Sequence, residues 1–157
     1  MRLTSLFLIS LGFFILLSTS ANASTFDFYS KKTNDKITKS QVLKHYAQWE
    51  GVKYKFGGTG KTGIDCSAFT QKIYKNFDFQ LPRTTKEQIK LGKDVRKHEL
   101  EFGDLVFFKT SNASRHVGIY IGDHNFIHAS STFGVTTSSL HNTFWSKKYE
   151  KSKRIIS

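Results

Sequence analysis

Two hydrophobic periods divide the chain. Between residues 40 and 92 apolar side chains recur three or four positions apart; beyond 104 they alternate with polar ones or run together in short stretches. The spacing predicts a helix over 40–50, with Val42, Tyr46 and Trp49 on one face, Ser40 as its cap and Gly51 as its stop. Residues 52–60 read as an extended piece running into a glycine-rich turn. Phe69, Ile73 and Phe77 mark a second helix from Cys66 to about Phe77, with Asp65 as N-cap. Leu81-Pro82-Arg83 interrupts the pattern. Thr84-Thr85-Lys86-Glu87 is then a capping box that opens a third helix, expected to end at Gly92. Strands are predicted over 104–109, 116–121, 126–130, 135–139 and 154–156. Gly122-Asp123-His124-Asn125 supplies the turn of a hairpin. Helices first and antiparallel strands second make the fold class α+β.

The N-terminal stretch of the chain changes the picture. Arg2, the mostly apolar run 3–17 and Ala21-Asn22-Ala23 have the layout of a cleavable secretory signal, expected to span residues 1–23. The apolar run is short for a membrane span, so no stable anchor is expected once it is removed. Residues 24–39 are polar and aperiodic and read as an N-terminal arm. Residues 40–157 form the single domain, and the mature chain of about 130 residues suits one core. The net charge of +12 favours acidic partners, an anionic cell envelope before nucleic acid, for which no motif is present. Export places the protein in the periplasm, or outside the cell at the wall, and a monomer is expected.

Cys66 is the only cysteine. An exported chain with one thiol cannot close an internal disulfide. The thiol lies where a glycine-rich loop becomes a helix, and unpaired first-turn N–H groups there are expected to lower its pKa. A nucleophile of this kind needs a base and the base needs an orienting group. Of the six histidines, His116 and His128 fall within predicted strands of one hairpin, whereas His45, His98, His124 and His141 sit in helical, turn or polar stretches. Strand parity imposes a condition. If Ile121 pairs with Asn125 across a three-residue loop, His128 faces Gly118 and shares a face with His116; a two-residue turn at Asp123-His124 would separate them. The pair therefore requires an odd loop or a bulge. A zinc site made by His116, His128 and Cys66 is the competing reading, but it lacks the tight local ligand spacing of such sites.

Six segments in order resemble the NlpC-type cell-wall cysteine peptidases and, within them, the Spr/MepS murein endopeptidases. They are Tyr54-Lys55-Phe56-Gly57-Gly58, Gly63-Ile64-Asp65-Cys66-Ser67, Leu81-Pro82-Arg83, Gly103 to Phe108, His116 to Gly122 and Phe126 to Ser130. The resemblance implies a papain-like domain in which the cysteine helix packs on the antiparallel sheet bearing the histidines. It implies Cys66 as nucleophile, His116 as general base and His128 as the group that orients His116. It places Tyr54 beside the cysteine as an oxyanion donor, and Asp65, Ser67 and Arg83 near the substrate groove. For Asp65 the alternative is a helix cap, and for Arg83 a surface ion pair. The implied activity is a peptidoglycan endopeptidase without cofactor or metal. It would cut stem peptides or their cross-links at D-Ala–meso-diaminopimelate or γ-D-Glu–meso-diaminopimelate. An amidase or acyltransferase on the same fold, a non-catalytic wall-binding domain and a toxin delivered to rival cells are the alternatives. Two departures stand out: Ala68 replaces the usual glycine, which bears on groove width, and the lipid-attachment cysteine of related enzymes is missing.

Overall fold

The computed structural model describes residues 38–156. The expected signal segment and most of the polar arm lie outside the described residues. The domain runs α1 (Lys39–Ala47), a small hairpin β1 (Thr59–Gly60) and β2 (Gly63–Ile64), α2 (Cys66–Lys75), α3 (Thr85–Gln88) and β3 (Lys93–Val95). A 3-10 turn at Lys97–Glu99 leads to β4 (Leu105–Lys109), β5 (Arg115–Gly122), β6 (Asn125–Ser130), β7 (Gly134–Ser139), α4 (Thr143–Lys148) and β8 (Tyr149–Arg154). Among the described residues no helix is long and apolar enough to cross a membrane.

Strands β3 to β8 form one antiparallel sheet in the order β3-β8-β4-β5-β6-β7. Both of its faces are covered. Leu105, Phe107, Val117, Ile119, Ile127 and Ala129 pack with Ala68, Phe69, Ile73 and Tyr74 of α2 and with Val42 and Tyr46 of α1. Val106, Phe108, Tyr120, Phe126 and Leu140 form a second core with Trp145 and Tyr149. This explains why β4 to β6 read as apolar runs rather than as clean alternation.

The two main cores follow the predicted helices and strands, with local differences. Thr38 rather than Ser40 caps α1, through a capping box with Gln41, and the helix stops at Ala47. The capping box of Thr84 and Glu87 is present, but α3 lasts four residues and ends well before Gly92. The last strand is β8 at Tyr149–Arg154, not 154–156. Its sequence is mostly charged, and it enters the sheet because Arg154 forms paired 2.8 Å hydrogen bonds to both carboxylate oxygens of buried Asp104, while Lys153 meets Asp94.

The hairpin β5–β6 meets its parity condition through a bulge, the second of the two expected routes. The loop is the two-residue turn at Asp123 and His124, both with positive φ (50° and 59°). Gly122 pairs with Asn125, but Tyr120 pairs with Phe126, so Ile121 bulges out of the ladder. Continuing that register sets Gly118 opposite His128 and puts His116 and His128 on one face. A β-carbon at Gly118 would lie 2.6 Å from the Phe126 ring and 2.9 Å from the Ile127 carbonyl oxygen. Gly118→Ala is therefore expected to destabilise the domain by about 1–3 kcal/mol through overpacking. Urea unfolding measures this; stability equal to wild type would contradict the tight fit.

Candidate active site

Asp65 fixes the start of α2. Its side chain caps the helix by accepting from the Ala68 N–H (2.8 Å), and it also accepts from Gly57 N–H (3.1 Å) and the Ser67 hydroxyl (3.1 Å). Arg83 closes the set with two hydrogen bonds to the carboxylate, at 3.0 and 2.6 Å, and a third to Ser67 Oγ at 3.0 Å. Burial alone would raise the Asp65 pKa; the Arg83 guanidinium, followed by the Ala68 N–H, holds it below the ordinary carboxylate range. Both structural alternatives, a cap and an ion pair, are thus realised at once, and the Asp65 oxygens are occupied within the protein.

Gln88 ties α3 to the same helix. It is fully buried, accepts from Thr70 Oγ1 (2.8 Å), and donates to the carbonyls of Ser67 (3.0 Å) and Pro82 (2.9 Å). That tie brings the Thr85 hydroxyl to 3.7 Å from Cys66 Sγ. The backbone N–H groups of Val117 and Ser67 also point at the sulfur. Cys66 is 6% exposed, and burial pushes its thiol above the ordinary value despite these three donors. The lowered pKa expected from the helix N-terminus is thus outweighed by burial. Desolvation of an anion costs more here than a helix end returns.

His116 Nε2 lies 2.8 Å from His128 Nδ1, with the rings edge to face and 5.0 Å between centroids. Phe108, Phe126 and Trp145 wall in the pair, with the Trp145 ring centroid 5.1 Å from that of His116 and 5.0 Å from that of His128. Burial in this aromatic box drives His116 down to about 4, against a smaller upward pull from Asp65. His128 falls to about 3 through burial and then through the charge of His116.

Cys66, His116, Tyr54, Asp65, Ser67 and Arg83 all line one cleft of about 1040 Å3, at the upper end for ligand sites. His128, with no exposed surface, stands behind His116. Val117, whose N–H faces the sulfur, is the residue after His116. Burial, and then the field of Cys66, raise the Tyr54 phenol, which stays a neutral donor. Ala68 is buried in the core and does not line the cleft, so its methyl group leaves the groove width unchanged. His45 packs edge-on against Phe77, His124 meets His141 with centroids 4.2 Å apart, and His98 lies in the 3-10 turn. Among the described residues no three of His, Cys, Asp or Glu gather into a metal-binding group. Thr85, Gln88, Ser138 and Trp145 join the site without having been predicted in it. Thr85 and Trp145 follow helix caps, Thr84 and Asn142, that are local signals; Gln88 and Ser138 have none.

Residues 51–154 match the NlpC/P60 family. The chain is 41% identical over 140 residues to the murein DD-endopeptidase MepS/murein LD-carboxypeptidase of Escherichia coli K12, an alignment that covers 88% of this chain and 74% of that protein. It resembles the crystal structure of an NlpC/P60 family protein from Bacillus cereus, with a TM-score of 0.71 and 31% identity. That match covers 78% of this chain and 42% of the other, so this chain spans less than half of that structure. It also resembles the peptidoglycan hydrolase RipB of Mycobacterium tuberculosis, with a TM-score of 0.65 and 25% identity, over 76% of this chain and 65% of that one.

Both imidazoles titrate below the ordinary 6.5 in the folded protein. The unfolded chain therefore binds more protons between about pH 4 and 6.5. Their contribution to stability is complete above 6.5 and is lost as pH falls through that window, by about 3 kcal/mol per imidazole. Thermal unfolding across pH 4–7 should show this slope. Trp145→Ala, which admits water, should flatten it; an unchanged slope in that variant would contradict desolvation as the cause.

Proposed function

The chain belongs to the NlpC/P60 family, and on that footing we propose that it is a cysteine endopeptidase that hydrolyses peptidoglycan, with Cys66, His116 and His128 as its catalytic group. The observation that carries the reading is the shared cleft. The sole thiol sits at the first turn of α2, beside the strand residue that follows His116, and His116 has already committed Nε2 to His128.

Nδ1 of His116 is then the nitrogen left to act on the thiol. As Sγ attacks the scissile carbonyl carbon, its proton passes to Nδ1. Transfer in step with attack suits a resting pair that burial keeps neutral. The tetrahedral oxyanion takes the Cys66 backbone N–H and the Tyr54 hydroxyl. The His116 imidazolium gives its proton to the departing amine as the C–N bond breaks, leaving an acyl group on sulfur. Water, losing a proton to His116, attacks that thioester; the acid product leaves and the thiol is restored.

The scissile bond is the D-Ala–meso-diaminopimelate cross-link, with the γ-D-Glu–meso-diaminopimelate bond of the stem as the second candidate. The name of the Escherichia coli relative supports this order. Asp65 acts through the loop and helix it ties together, whereas Arg83 and Ser67 present polar edges to the groove. The first 23 residues direct export to the periplasm or wall and are then removed, and the remaining chain works as a monomer without a membrane anchor.

Purified muropeptides of defined linkage, with products identified by mass spectrometry, test this reading. Cys66→Ala and His116→Ala should each lower turnover by at least about 1000-fold with the fold intact. His128→Ala should cost about 10- to 100-fold, because water can partly replace an orienting group. Turnover retained in either of the first two variants would reject the assignment.

A further inference from the structure

His128 uses both of its ring nitrogens. Nδ1 meets His116, and Nε2 lies 2.9 Å from Ser138 Oγ on β7. The register explains the contact. Phe126 pairs with Ser138 and His128 with Thr136, so Ser138 is a diagonal neighbour of His128 on the same sheet face. Gly118 lies opposite His128, so His116 is its diagonal neighbour on the other side. The three side chains therefore form a line across β5, β6 and β7, and Ser138, half-buried, reaches the cleft at the far end.

A neutral imidazole has one N–H and one lone pair, so the line can run in two directions. In the first, His116 Nε2–H donates to His128 Nδ1 and His128 Nε2–H donates to Ser138. His116 Nδ1 is then bare and can take a proton. In the second, the Ser138 hydroxyl donates to His128 Nε2 and His128 Nδ1–H donates to His116. His116 Nδ1 then carries a hydrogen and cannot act as a base. A hydroxyl supports either direction. In the first its own proton is left over, and because Ser138 borders the cleft that proton has an acceptor there in water or substrate.

We propose that Ser138 is a positioning residue: by accepting from His128 Nε2–H it sets the direction of the Ser138–His128–His116 chain and keeps His116 Nδ1 free for the thiol. The inference rests on the base role given to His116 above. It makes the catalytic group one member longer than the three residues named there, and gives His128 a defined tautomer rather than only an orienting contact.

Nitrogen-15 NMR of the imidazoles in the resting protein reads the direction without need of turnover. Wild type should show both rings protonated at Nε2. Ser138→Ala should raise the Nδ1-protonated population of both rings, and Ser138→Thr should not. Muropeptide kinetics add a second readout: kcat should fall about tenfold in Ser138→Ala with KM within about twofold, and Ser138→Thr should stay within about twofold of wild type. Nδ1-protonated rings in wild type would overturn the proposal, as would tautomers and kcat unmoved in Ser138→Ala, or an equal loss in Ser138→Thr. If wild type turned over no muropeptide, the peptidase reading would fall, and the tautomers alone would decide whether Ser138 sets the chain.

Discussion

Ile121 bulges from the ladder between β5 and β6, and the register that results puts two imidazoles side by side on one face of the sheet. Without the bulge, the two-residue turn at Asp123 and His124 would send His116 and His128 to opposite faces. With it, Gly118 falls opposite His128 and leaves the space that the Phe126 and His128 side chains need. Trp145 on α4 covers both rings, and Ser138 reaches His128 through the adjoining β6–β7 register. A one-residue change in the β5–β6 pairing would separate His116 from His128 and break the line that runs from Ser138.

Burial has opposite effects on the Cys66 thiol and the His116 imidazole, and both favour neutrality. The thiol is pushed up and the imidazole down, so the pair resists forming ions. In the proposed mechanism that arrangement makes proton transfer part of the attack rather than a step before it. It also makes position matter more than charge. Position is what the rest of the domain supplies: Asp65 and Arg83 fix the first turn of α2, and Gln88 fixes α3 against it. These are buried or half-buried polar groups with their partners satisfied, so they add rigidity without leaving an orphaned charge.

Much of this was legible in residue order. The Asp65 cap, the Thr84–Glu87 capping box and the apolar strands β4 to β6 are local signals, and each appears where its residues predict. The parity of His116 and His128 was legible as a condition, although a bulge and not a longer loop fulfils it. What was hidden depends on long-range partners. β8 is charged and reads as surface until Arg154 finds Asp104 fifty positions away. The Cys66 pKa was misjudged because a helix end is visible in sequence, whereas the packing that strips water from the sulfur is not. Ser138 and Gln88 are ordinary polar residues whose importance is set by which strand or helix lies alongside.

In the proposed mechanism the Cys66 sulfur carries the acyl half of a peptidoglycan stem through a thioester. Rapid acid quench of wild-type protein mixed with a cross-linked muropeptide, followed by intact and peptide-level mass spectrometry, reads that intermediate directly. A transient adduct with the mass of the acyl fragment, mapped to Cys66, is expected. Turnover that proceeds with no adduct at any quench time, or with an adduct on another residue, would contradict that mechanism.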